Sequence, residues 1–451
     1  MKHNWVNRAF VAAFACLTAV FAGCGGGGGN GPTTGPLPSL PPAKAGKYFK
    51  HIVIIIQENR TYDNLFATFP GGDGVTVGKG HNGQNIPLAK ANLESRISPG
   101  NGYACCWIHD WNNGRMNGFD TVNIGPIKGQ YVYQYVDPAQ IVPYWDLARQ
   151  YVLADHMFQT EGSGSYTAHQ DLIAGGTNVD PEHAVIDFPS IGPVWGCDAG
   201  SGSKTSLITK SNDFMYNAGP FPCLSYQTLR DPLDAGGIPW RYYAPQVGQS
   251  FGGDLWNAFD GIRAVRYGPE WNTNVTWPET NVFKDITAGD LPSVSWVIPD
   301  YQNSDHPGDT SDTGPSWVAQ VVNAIGNSPD WNSTAIIVTW DDWGGWYDHV
   351  RPPGAQTFGG LGFRVPMMVI SPYSRKGLVT HNQYEFGTII KFVEDNWGLP
   401  RLGTTDVRAA SMVDDVFDFT QAPRKFVTID SKYSKAYFLN QKPSGKPTDY
   451  E

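Results

Sequence analysis

The chain has 451 residues, of which 16% are charged against roughly 25% in an average soluble domain, and it carries 52 Gly and 34 Pro, which excludes a coiled coil and a disordered acidic tail. Aromatic residues make up 13%, 16 of them Trp, so apolar surface for a core is ample at this length. With a formal net charge of -10 and no basic stripe, the surface repels polyanions and no nucleic-acid partner is expected, because that affinity rests on clustered Lys and Arg.

In chain order, residues 1–8 carry Lys2 and Arg8, and residues 9–22 form a short apolar run ahead of Gly23 and Cys24. This is the pattern of a signal peptide over 1–23, shorter than the roughly 20 apolar residues a membrane helix needs. Phe21-Ala22-Gly23-Cys24 resembles the cleavage box of bacterial lipoproteins, with Phe21 where Leu is usual. It predicts export to the cell envelope with membrane attachment through lipid on Cys24, or secretion if Cys24 is not lipidated. Residues 24–46, rich in Gly and Pro, read as a tether, and 47–451 as the folded domain.

Short apolar runs at 51–56, 151–154, 334–339 and 365–370 each stop at a polar cluster and read as buried parallel strands. Val318, Val321, Val322 and Ile325 recur at helical spacing, as do Phe386, Ile389, Ile390 and Val393 ahead of Gly398, and 168–174 reads as a further helix. The expected fold class is α/β: a mainly parallel central sheet with helices on both faces, and a long loop-rich insertion at about 176–290. In such sheets ligands bind beyond the carboxyl ends of the strands, where the polar clusters sit.

Cys105, Cys106, Cys197 and Cys223 remain for disulfides in an exported chain. A ring between adjacent cysteines is very small, so each of Cys105 and Cys106 is expected to pair with one of Cys197 and Cys223.

Glu58 and Asn59 end one strand, and Asp341 and Asp342 end another, offering oxygen donors that suit one hard divalent cation, Ca, Mg or Mn. The stretch 162–170 places Ser163, Ser165 and Thr167 on a glycine-rich turn at the start of a helix, where unpaired N–H groups favour an anion and a nearby cation would acidify a hydroxyl. His109, His306 and His349 each stand beside an acid and are candidates for proton transfer and charge neutralisation in phosphoryl chemistry.

Gln57-Glu58-Asn59-Arg60-Thr61-Tyr62-Asp63 resembles the signature of the bacterial phospholipase C and acid phosphatase family within the alkaline-phosphatase-like fold. Further matches follow in family order at 155–159, 168–175, 340–350 and 365–373. The resemblance implies a metal-dependent hydrolase of phosphate esters or phospholipids acting through a phosphoseryl intermediate. Glu58, Asn59, Asp341 and Asp342 look like its metal ligands, Ser165 like its nucleophile, and His109, His306 and His349 like the histidines around the phosphoryl group. Two departures stand out: Asp341-Asp342 where Asp-Glu is frequent, and Gly162-Ser163-Gly164-Ser165 where Gly-Pro-Ser/Thr is usual. The short stretch after Pro400 leans toward a compact phosphatase or broad phosphoesterase. The alternative is a non-catalytic surface lipoprotein that binds envelope glycans or a partner.

Overall fold

Runs of β-branched and aliphatic residues build the centre of the molecule. Strands His51–Gln57 (β1), Val152–Ala154 (β2), Trp240–Tyr243 (β3), Val275–Thr276 (β4), Val294–Val297 (β5), Thr334–Trp340 (β6), Met367–Ile370 (β7) and Leu378–Thr380 (β8) form one sheet in the order β4-β3-β5-β1-β6-β7-β2-β8. Every residue of β1, β3, β5, β6 and β7 is buried, as expected of strands covered on both faces. This computed structural model describes residues 37–445 apart from 96, 123–128, 193, 249–254, 309–310 and 355–357. The expected signal peptide, the Cys24 anchor and the tether up to residue 36 lie outside the described residues.

The sheet is mainly parallel, with one exception. β7 runs antiparallel to both β6 and β2, so the parallel strand expected at 365–370 is corrected. Polarity of the run carries no information on strand direction; the chain re-enters the sheet at the edge where β6 ends, with Met367 opposite Thr339, and therefore runs back along β6. β3, β4, β5 and β8 are not legible as runs in the sequence, because polar residues interrupt β3 and β5 while β4 and β8 are only two and three residues long. Arg241 inside β3 is fully buried and neutralised by Asp285, and Ser295 sits within β5.

Helices Tyr62–Phe66 (α1), Val142–Gln150 (α2), Ser165–Ala174 (α3), Gly314–Gly326 (α4) and Phe386–Trp397 (α5) connect or cover the strands. α4 and α5 match the expected periodicity, and α5 closes on Gly398 in the left-handed region at φ 63°. The stretch 176–290, read in the sequence as one insertion, divides in two. Its first part folds as a small antiparallel sheet from Asn178 to Met215, and its second part supplies β3 and β4 to the central sheet.

The cysteine pairing differs from expectation. Cys105 bonds Cys106 within the turn Tyr103–Trp107, and Cys197 bonds Cys223. Cys223 precedes Leu224, which bridges Ile262, and Cys197 lies in the short helix Gly196–Asp198, the two cysteine Cα atoms standing 4.3 Å apart. The adjacent pair closes locally and needs no distant partner.

Candidate active site

Strand register decides which polar groups meet. β1 and β6 pair in parallel with Gln57 opposite Trp340, so Glu58-Asn59 and Asp341-Asp342 leave the sheet side by side. The ladder continues past the strands, the Asp341 N–H donating to the Gln57 carbonyl at 3.0 Å and the Glu58 N–H to Ser304 at 2.8 Å. β5 flanks β1 on its other side, and the loop beyond it carries His306 over the same edge.

Asn59 adopts the left-handed region at φ 58°, which turns its amide inward while its N–H donates to Asp341 Oδ1 at 2.9 Å. Gly344, also left-handed at φ 59°, lets the next loop approach: a Cβ there would lie 2.2 Å from the Asn59 carbonyl oxygen. The Gly344 N–H donates to Asp342 Oδ1 at 2.6 Å, leaving Asp342 Oδ2 to face Ser165.

Ser165 opens α3, which begins three residues before the helix expected at 168–174. Gly164 precedes it in extended conformation, and no side chain caps the helix. The Ser165 hydroxyl instead lies 3.2 Å from Asn59 Oδ1 and 3.1 Å from Asp342 Oδ2. Ser163 and Thr167 turn away: Ser163 Oγ accepts the Asp187 N–H, and Thr167 Oγ1 donates to the Asp187 carbonyl.

Two groups that sequence reasoning did not assign complete this cluster. One helical turn after Ser165, His169 Nε2 lies 2.8 Å from Glu58 Oε1 and 3.9 Å from Asp341 Oδ2. Its spacing of four from Ser165 is legible once the helix start is placed at Ser165. Asn101, which donates to Asp342 Oδ2 at 2.9 Å, sits in an irregular loop with no sequence signal.

Of the three histidines singled out, His306 joins the cluster. Its Nδ1–H is held by the Pro307 carbonyl and its Nε2 lies 3.2 Å from the Asn59 amide nitrogen. His109 is exposed on the short helix Ile108–Trp111 and forms no hydrogen bond or ion pair with the cluster among the described residues.

His349 belongs to a second group. Its Nδ1 donates to Asp63 Oδ2 at 2.8 Å, and buried Arg364 bridges Asp63 and Asp348 behind it. Burial disfavours the His349 cation, but Asp63 and then Asp348 more than restore it, so its pKa lies above the ordinary 6.5. That contribution to stability is fully present below pH 6.5 and is lost as pH rises through the raised value. Wild-type protein is therefore expected to lose melting temperature more steeply than His349→Gln as pH rises above 6.5. Parallel slopes in thermal melts across that range would refute the assignment.

The first cluster fits a cation. Asp341 Oδ2 is buried without a hydrogen-bond partner. The Asn59 amide oxygen stands 3.3 Å from both Glu58 Oε2 and Asp341 Oδ1, an arrangement of acceptors that repel one another unless a positive ion lies among them. Without an ion, turning the amide over would aim its N–H groups at those carboxylates and its oxygen at Asn101 and His306. Glu58, Asn59, Asp341 and Asp342 are all fully buried, so four oxygen-bearing side chains from two strand ends converge out of water.

The chain resembles proteins named for phospholipase C activity. It is 26% identical to the non-hemolytic phospholipase C of Pseudomonas aeruginosa over 78% of this chain and 54% of that protein. It is 24% identical to phospholipase C B of Mycobacterium tuberculosis over 88% of this chain and 81% of that one. The chain thus spans about half the length of the Pseudomonas relative. A solved structure of an alkaline phosphatase superfamily protein from Vibrio parahaemolyticus aligns over 83% of this chain and 73% of its own, at 10% identity and a TM-score of 0.38. The match that spans the strand ends, the helix of Ser165 and the histidine loops covers residues 49–400, and by it the chain belongs to the Phosphoesterase family.

Proposed function

We propose that this protein hydrolyses phosphoric ester bonds, with Ser165 as nucleophile and Glu58, Asn59, Asp341 and Asp342 as the ligands of one divalent cation. The observation that carries the proposal is a single hydroxyl at a helix N-terminus directed at both an amide oxygen and a carboxylate from the two strand ends. When bound, the cation would screen the negative charge of the phosphoryl group and favour the ionised serine.

The protein's own groups account for the rest. Asp342 Oδ2, 3.1 Å from the Ser165 hydroxyl, is placed to take its proton as the oxygen attacks phosphorus and the alcohol departs. The first-turn N–H groups of α3 face the developing charge. His306, oriented by the Pro307 carbonyl, presents Nε2 as the proton donor to the leaving oxygen and, in the second half, as the base for the water that cleaves the phosphoserine. Ser165 has no exposed surface. Trp107 packs against Gly162 and Phe188 against Gly164, on the turn that leads into Ser165.

The names of the relatives favour a phosphodiester such as a phospholipid over a monoester. Purified protein is expected to hydrolyse p-nitrophenylphosphorylcholine faster than p-nitrophenyl phosphate and to lose both activities on chelation, with recovery when metal is returned. No turnover of either ester under any metal condition would reject the proposal. We further propose that the chain is exported and anchored through Cys24. Cells expressing it should incorporate palmitate into the wild type and not into Cys24→Ala; equal labelling would remove the anchor.

A further inference from the structure

The sequence offers oxygen donors alone, but the folded cluster contains a nitrogen. Glu58, Asp341 and His169 each bring a donor atom within 4.8 Å of the others, and all three residues are fully buried. Helix α3 produces this juxtaposition. Ser165 and His169 are four residues apart, so the same helical face that offers the hydroxyl to Asp342 offers the imidazole to Glu58 and Asp341. Trp256 stacks on the imidazole with ring centroids 6.4 Å apart, which limits its rotation.

The geometry points to His169 as a ligand of the cation, making the donor set mixed nitrogen and oxygen and selecting a first-row transition ion over Ca2+ or Mg2+. This rests on the metal-dependent reading above. Donors about 2.0–2.2 Å from one small ion can lie no more than roughly 4.4 Å apart. The His169 Nε2 separations of 2.8 Å from Glu58 and 3.9 Å from Asp341 meet that limit. Asp341 Oδ2 supplies an independent sign. It is fully buried, has no hydrogen-bond partner, and lies on the side of the carboxylate that faces the imidazole rather than the Asn59 N–H. Imidazole is a poor ligand for hard Ca2+ and Mg2+ and a good one for Mn2+, Fe2+ and Zn2+, whereas carboxylates serve both classes. One nitrogen among carboxylates therefore shifts preference toward the transition series.

The experiment uses the full chain stripped with chelator and loaded with one equivalent of Cu2+ alone. Pulsed electron paramagnetic resonance is expected to show modulation from the remote nitrogen of a coordinated imidazole. His169→Gln should abolish that modulation, while His306→Gln should keep it. Calorimetric Mn2+ affinity should fall at least about 10-fold in His169→Gln, and excess Ca2+ should not displace Mn2+ from the wild type. Absence of imidazole modulation in the wild type, its persistence in His169→Gln, or ready displacement by Ca2+ each overturns the assignment. If His169→Gln fails to fold, ready displacement of Mn2+ by Ca2+ from the wild type still overturns the assignment. A chain that binds Cu2+ through His169 yet hydrolyses neither ester would defeat the function proposed above and leave this assignment standing. Hydrolysis without imidazole modulation would do the reverse.

Discussion

Ser165→Ala is expected to lower kcat on p-nitrophenylphosphorylcholine by at least about 10³-fold while leaving the protein folded, because removing a nucleophile eliminates the covalent route and leaves only binding and charge stabilisation. The side chain lost is small. Its hydroxyl is shared between Asn59 Oδ1 and Asp342 Oδ2, so the deletion costs on the order of 1–3 kcal/mol of stability in a protein of this size. Ser163→Ala and Thr167→Ala provide the contrast, since both hydroxyls bond the backbone of Asp187 and face away from the carboxylates. Each should retain activity within about 10-fold of wild type, as expected of groups outside the reacting atoms. Should Ser165→Ala turn over as fast as wild type, or Ser163→Ala prove the inactive one, the nucleophile is misassigned.

The largest stability effect is expected at Arg364. Its guanidinium is fully buried, donating to Asp348 Oδ1 at 2.9 Å and Oδ2 at 3.1 Å, to Asp63 Oδ1 at 3.3 Å, and to the carbonyls of Asp73 and Asp155 at 2.9 Å each. It also stacks on Tyr62 at 4.8 Å. Arg364→Met keeps much of the volume but leaves two buried carboxylates without their cation. A loss of about 3–5 kcal/mol is the usual cost of breaking such a pair from one side. Arg364→Lys should recover only part of it, because an ammonium cannot reproduce the planar fork that serves two carboxylates and two carbonyls together. Urea denaturation measures the difference. A change below about 1 kcal/mol in Arg364→Met would show that Asp63 and Asp348 do not depend on the guanidinium.

The chemistry of the candidate site was legible in local strings, since strand ends and helix starts are where polar residues stand out against apolar runs. Glu58-Asn59, Asp341-Asp342 and Ser165 stood out this way, and the structure brings all five together with His306. His169 lies inside a helical stretch that local pattern starts at residue 168 and the structure at Ser165, and Asn101 lies in a loop that carries no periodicity. His349 looked equivalent to His306 by its acidic neighbour, yet the fold assigns it to Asp63 and Arg364.

By itself, the sequence determined the α/β class, four of the central sheet's eight strands (β1, β2, β6 and β7), the helices Gly314–Gly326 and Phe386–Trp397, and the residue types available for phosphoryl chemistry. These follow from local periodicity, which the backbone repeats of helix and strand impose on neighbouring residues. Only the tertiary structure decided the reversed direction of β7, the pairing of Cys105 with Cys106, and the entry of Trp240–Tyr243 and Val275–Thr276 into the sheet. It also decided that a nitrogen from α3 meets the carboxylates of β1 and β6. The strand direction, the strand entries and the α3 contact depend on residues far apart in the chain, where register and packing select a partner that no local pattern encodes, whereas the Cys105–Cys106 bond depends on the local turn that brings adjacent sulfurs together.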